Sequence, residues 1–106
     1  MTEYIQVFTT TEKKEDVKRL AREVVGKRLA ACAQIVGPIT SMFWWEENID
    51  EAEEWLLIMK TRDDLYGDLE KAIQEIHPYA VPEILAIPVI AGSQSYLDWL
   101  NREVSK

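Results

Sequence analysis

The stretch AQIVGPITSMFWWEENIDEAEEWLLIMKT, residues 33–61, sets two runs of branched and aromatic side chains around an acidic middle. Ala33 to Trp45 reads as one long strand, interrupted at Gly37-Pro38, where proline removes a ladder donor and glycine permits a bulge or bend. Glu47 to Asp50 supply a turn, and residues 53–61, EEWLLIMKT, return as the next strand. The segment from Ile39 to Glu47 spans about 30 Å at roughly 3.3 Å per residue, comparable to the diameter of a small domain. The tip of this hairpin is therefore expected to project beyond its own core.

On the N-terminal side, residues 3–10, EYIQVFTT, alternate Tyr4/Gln6/Phe8 against Ile5/Val7/Thr9 and read as a first strand. Residues 13–30 follow as a helix with Val17, Leu20, Ala21, Val24 and Leu29 at helical spacing. On the C-terminal side a second helix is expected from about residue 64 to His77, with Leu65, Leu69, Ala72, Ile73 and Ile76 on one stripe and Pro78 ending it. Residues 84–90, ILAIPVI, make a fourth strand whose Pro88 marks an edge. Ser95 and Asp98 have capping-box spacing for a short last helix carrying Tyr96, Leu97 and Leu100. The order β-α-β-β-α-β plus a terminal helix predicts an α+β, ferredoxin-like fold, with four antiparallel strands and two helices on one face.

A chain of 106 residues fits one domain, residues 1–106, and buries roughly 65% of its unfolded surface. No apolar run approaches the roughly 18 residues of a membrane span, and MTEYIQVFTT has no basic n-region, so a cytoplasmic protein with no membrane partner is expected. Nineteen acidic against twelve basic residues give a net charge of −7, which argues against nucleic acid as a partner. Cys32 is the single cysteine; it can form no intrachain disulfide, and its apolar setting reads as a small core position.

Both faces of the sheet are apolar. Strand 53–61 puts Trp55, Leu57 and Met59 on one side and Leu56, Ile58 and Lys60 on the other, and strand 33–45 sets Phe43 and Trp45 against Met42 and Trp44. Helices on one face leave the other in need of cover, and something must shield Trp44, Trp45 and Trp55. A homo-oligomer of closed symmetry is expected to do so. The alternative is that the last helix covers that face alone.

HPYAVPE, residues 77–83, holds the only histidine, with Tyr79 and Glu83 in a segment stiffened by two prolines. Two readings stand: a preorganised site, or a helix-ending histidine that packs locally. A zinc site takes three or four ligands, so one chain is a poor cage, although a cleft between subunits could join His77 to carboxylates or to Cys32 of another chain. EENIDEAEE, residues 46–54, has six carboxylates without the ligand ladder of an EF-hand and reads as a solvated hairpin tip. Lys60 and Thr61 could meet an anion or simply end a strand and cap the next helix. No phosphate loop, nucleophile elbow or paired-cysteine motif is present, so no enzymatic activity is expected.

LAACAQIVGPITSMFWWE (29–46), LLIMKT (56–61), HPYAVPEILAIPV (77–89) and SYLDWL (95–100) together resemble the divalent-cation tolerance proteins of the CutA family, in order along nearly the whole chain. The resemblance implies a compact cytoplasmic homotrimer involved in tolerance to copper and other heavy metals through binding of divalent cations, with no cofactor required for folding. Its likeness to PII signalling trimers offers an alternative: a module binding a small anionic ligand in an intersubunit cleft, with Lys60 as the positive contact. His77, Tyr79, Pro82 and Glu83 match the family's His-Pro-Tyr and Pro-Glu motif, Trp45 its hairpin tryptophan, Lys60-Thr61 its Lys-Thr pair and Cys32 its Ala-Ala-Cys segment; His77 and Glu83 are the expected metal contacts, and Tyr79, Lys60, Trp45 and Cys32 the expected contacts of the cleft. Phe8 and Ile76 stand where some members have copper ligands, Ala80 where many have glutamate, and Glu47-Asn48 where the hairpin often has glycine.

Overall fold

A computed structural model describes residues 3–106. Four antiparallel strands, β1 (Tyr4–Thr11), β2 (Cys32–Trp45), β3 (Asn48–Arg62) and β4 (Leu85–Pro88), form one sheet in the order β2-β3-β1-β4. Helix α1 (Lys14–Gly26) joins β1 to β2, α2 (Tyr66–Ile76) joins β3 to β4, and α3 (Gln94–Val104) ends the chain. This is the expected split βαβ arrangement. The core lies between the helices and one face of the central strands, where Ile5, Val7, Leu57 and Met59 meet Val17, Leu20 and Val24 of α1 and Leu69 and Ile73 of α2.

Several boundaries differ from the sequence expectation. Helix α1 stops at Gly26 rather than 30. Arg28 adopts φ 61°, its N–H bonds to the Val25 carbonyl and the Leu29 N–H to the Val24 carbonyl, both at 3.0 Å, which completes a Schellman stop with arginine in the left-handed place. Leu29 still packs against the core, which explains why it fits the helical stripe without being helical. Strand β4 is confined to 85–88, and the N-cap of α3 is Ser93, without a side-chain cap bond, rather than Ser95.

The hairpin is longer than expected. Strand β3 begins at Asn48, not 53, and the turn is Glu46-Glu47, with φ 48° and 67°. Four of the residues 48–53 are polar, Asn48, Asp50, Glu51 and Glu53, yet the segment pairs with the exposed apolar end of β2, Phe43 opposite Asp50 and Trp44 opposite Ile49. The molecule measures 44 × 25 × 23 Å, and its 14.4 Å radius of gyration exceeds the about 13 Å of a compact chain this long. A two-residue turn with both φ positive favours asparagine and glycine. Glu47→Gly is therefore expected to raise stability by about 1 kcal/mol, read as a higher urea midpoint with an unchanged slope.

The second face is only partly covered. Helix α3 lies over one end of it, where Arg62 bonds Asn101 and Ser105 at 3.1 and 2.7 Å, and Arg28 ties the end of α1 to Glu103 at 2.8 Å. Val36, Leu85 and Ile87 stay exposed, as do Trp44 and Trp45, 72% and 57% accessible at the hairpin tip. Trp55, in contrast, packs against the core and carries the Lys14 ammonium 5.0 Å from its ring, so its own chain already shields it.

Candidate functional site

Pro78 shapes the site by what it forbids. A residue before proline is pushed out of the helical region, and His77 accordingly turns extended (φ −67°, ψ 135°) while its N–H still closes the last helical bond, 2.9 Å from the Ile73 carbonyl. Its ring is buried and doubly held: Nε2 lies 2.9 Å from the Thr10 carbonyl, and Nδ1 accepts the Tyr79 backbone N–H at 3.1 Å. A carbonyl only accepts and a backbone N–H only donates, so the proton sits on Nε2 and the lone pair on Nδ1 is already used. Burial pulls the His77 pKa below its ordinary 6.5, against a weaker upward pull from the Thr10 carbonyl, Asp16 and Glu54.

Tyr79 continues the chain of contacts. Its ring meets that of His77 edge-on at 4.8 Å, and its hydroxyl donates to Glu54 Oε2 at 2.7 Å. Burial, with the Glu54 hydrogen bond and charge behind it, pushes the tyrosine pKa well above its ordinary 10. Glu54 lies on β3 opposite Ile39 and is only 7% exposed. The 46–54 run is thus not one solvated tip: its last carboxylate is built into the molecule.

These groups border a cleft of about 950 Å³ between the hairpin and the segment 79–83. Its walls include Met42, Phe43, Trp44 and Trp45 on one side and Tyr79 through Glu83 on the other, with four carboxylates, Glu12, Asp50, Glu54 and Glu83. No lysine or arginine lines it among the described residues. Trp45 from the hairpin and Tyr79 and Glu83 from the segment opposite thus line one cleft, while His77 is buried next to Tyr79 and is not among its walls.

Lys60 and Cys32 are not part of the cleft. They are register partners at the other end of the second face, beside α3. The Lys60 ammonium stands 5.5 Å from the Tyr96 ring centroid, and Cys32 Sγ lies 3.6 Å from the Tyr96 hydroxyl. Burial, reinforced by Cys32, raises the Tyr96 pKa to about 12. Thr61 turns to the core, where its hydroxyl has no partner among the described residues, so it neither caps α2 nor faces a ligand. Glu54 is the residue that sequence reading missed; its alternation with Leu56 and Ile58 on one strand face was the available signal.

The sequence profile of the CutA1 divalent ion tolerance proteins matches residues 5–103. The chain is 43% identical over 97 residues to rice "Protein CutA 1, chloroplastic", covering 92% of this chain but 55% of that longer protein. It is 39% identical over 95 residues to the "Divalent-cation tolerance protein CutA" of Thermus thermophilus, covering 90% of this chain and 92% of that one. Among solved structures, rice CutA1 superposes with a TM-score of 0.93 at 40% identity over 96% of this chain and 94% of that chain. The CutA of Archaeoglobus fulgidus, described as a periplasmic divalent cation tolerance protein, superposes at 0.92 with 36% identity, over 95% and 98%. With the profile matching residues 5–103 and the fold agreeing over most of the chain, the chain belongs to the CutA1 divalent ion tolerance family.

Proposed function

We propose that this divalent-cation tolerance protein acts without catalysis, as a cytoplasmic homotrimer that binds divalent cations, copper among them, at the cleft beside Tyr79. The observation that carries the reading is the four carboxylates in one cleft with no basic residue lining it among the described residues. Such a wall attracts cations and repels anions. One chain does not complete a metal cage: among the described residues no three Asp, Glu, His or Cys side chains gather around one point. His77 can ligate only by giving up its bond to Thr10 or to Tyr79, so Glu83 and Glu54 are the better donors, and a neighbouring chain must add the rest. The open outer edges of β2 and β4 and the exposed Trp44 and Trp45 provide surfaces for such neighbours. Oxygen donors favour harder ions over the thiolate and thioether sites that select Cu(I).

An anionic ligand, the alternative that Lys60 suggests, would meet carboxylates in this cleft, while the Lys60 ammonium is stacked on Tyr96 elsewhere. No helix among the described residues is long and apolar enough to cross a membrane. Titration calorimetry with Cu²⁺, Zn²⁺ and Ca²⁺ tests the metal reading. Saturable heats are expected for the chain and an affinity at least ~10-fold lower for Glu54→Gln/Glu83→Gln, in keeping with loss of charged donors. Equal heats for the two proteins, or none, would sink it. Sedimentation as a folded monomer at low micromolar concentration would remove the trimer, and cell fractionation decides the compartment.

A further inference from the structure

Arg28 holds a backbone conformation, φ 61°, that glycine adopts freely and an arginine adopts only under constraint. What a side chain gains there is reach. Its Nη1 donates to the Glu103 carbonyl at 2.9 Å and to Glu103 Oε1 at 2.8 Å, both in the last turn of α3. A second arginine holds the same end of that helix: Arg62 Nη1 donates to Asn101 Oδ1 at 3.1 Å and to Ser105 Oγ at 2.7 Å. All four bonds are exposed, and solvent-exposed polar ties contribute little each. The apolar hold is also small. Leu100 and Val104 are the buried residues of α3, and neither belongs to the cluster that joins α1, α2 and the sheet. Residues 89–93, in neither strand nor helix, link α3 to β4.

The other end of α3 covers a thiol. Tyr96, in its first turn, places its hydroxyl 3.6 Å from Cys32 Sγ and its ring centroid 5.5 Å from the Lys60 ammonium. Cys32 is half-buried beneath that contact. A helix with few buried apolar groups, exposed ties and a hinge at its start belongs to the low-stability end of a structure, where segments open without global unfolding.

We propose that α3 is a strap that undocks as one unit on the hinge 89–93 while the core between α1, α2 and the sheet stays folded, and that its undocking opens Cys32 to solutes. Arg28 is the bolt: its left-handed backbone is the strain accepted to reach Glu103. The strap is independent of the cation reading of the cleft, since Cys32 and Lys60 lie at the other end of the second face.

The test is hydrogen exchange read by mass spectrometry, together with the rate of Cys32 alkylation by iodoacetamide, on the full-length assembled protein without denaturant. Amides of 94–104 are expected to exchange at least ~100-fold faster than those of Leu57 and Met59 in the core strand, which exchange only by global unfolding. Arg28→Gly relaxes the stop of α1 and removes both bonds to Glu103, so it separates strap from fold. It is expected to speed α3 exchange and Cys32 alkylation together, at least ~5-fold, while β1 and β3 keep their rates. Asn101→Ala, at an exposed position, loosens the second tie without touching α1 and is expected to act in the same direction. Exchange of α3 at the rate of the core strand would overturn the proposal, whether its own chain or its neighbours in the assembly seal it. Equal acceleration of every element by Arg28→Gly would overturn it as global destabilisation, and faster α3 exchange with an unchanged alkylation rate would show that the helix does not guard the thiol.

Discussion

His77→Ala is expected to lower the unfolding free energy by about 3 kcal/mol, although the residue lies in a connecting segment. The ring is 8% exposed, and its removal strands two backbone groups: the Thr10 carbonyl loses its 2.9 Å partner and the Tyr79 N–H its 3.1 Å partner. Each orphaned buried group costs about 1–3 kcal/mol, and the edge-on contact with Tyr79 is lost as well. Urea unfolding at fixed protein concentration measures it, and a loss under about 1 kcal/mol would show that the ring is a passenger. The pH dependence has a definite sign. Burial holds the folded pKa below 6.5, so the unfolded chain takes up a proton first as pH falls. The stability from neutral His77 is full above about 6.5 and is lost as pH falls through that value toward the lower folded pKa. His77→Asn, which does not titrate, is expected to lack that part of the acid slope.

The strand and helix order was legible because both periodicities are strong: α2 ends where Pro78 demands, and the Gly37-Pro38 interruption is the register shift between Val36 and Ile39. What failed was local and has physical causes. Residues 48–53 carry little strand propensity, but pairing with an already extended β2 imposes the strand; tertiary context outweighs a weak local preference. Arg28 ends α1 from a position where glycine is the usual signal, and Gly26 stands two residues too early to reveal it. The site was half legible. Tyr79, Glu83 and Trp45 line one cleft, whereas Lys60 is twelve residues along β3 from Asn48, the partner of Trp45, and thus about 40 Å away. Glu54 was hidden in a run of charges, since composition describes a segment and burial belongs to single positions on a strand face.

That dependence of one position on its strand face makes Gly37 the most informative residue of the hairpin. An added Cβ there would lie 2.7 Å from Trp55 Cε3, 3.1 Å from Cδ2 and 3.2 Å from the Glu54 carbonyl oxygen. Neither obstacle is a loose side-chain end. The indole is wedged between the core and the Lys14 ammonium, and the carbonyl belongs to the central strand β3. Gly37→Ala must therefore shift the ring off the core or part β2 from β3, and overpacking of this kind costs about 2 kcal/mol. The same shift would disturb Glu54, whose backbone is the second obstacle, and with it the 2.7 Å Tyr79 bond that holds the cleft wall. Stability and cation affinity are thus expected to fall together. Gly26→Ala supplies the contrast: nothing stands within 4 Å of its Cβ, and a helical glycine replaced by alanine gains about 0.5–1 kcal/mol. If both substitutions proved neutral in urea, the close approach of Gly37 to Trp55 would have no energetic content. If Gly37→Ala lost stability but kept full cation affinity, the hairpin base and the cleft wall would be independent units, and the structural link from β2 through Glu54 to Tyr79 would be refuted.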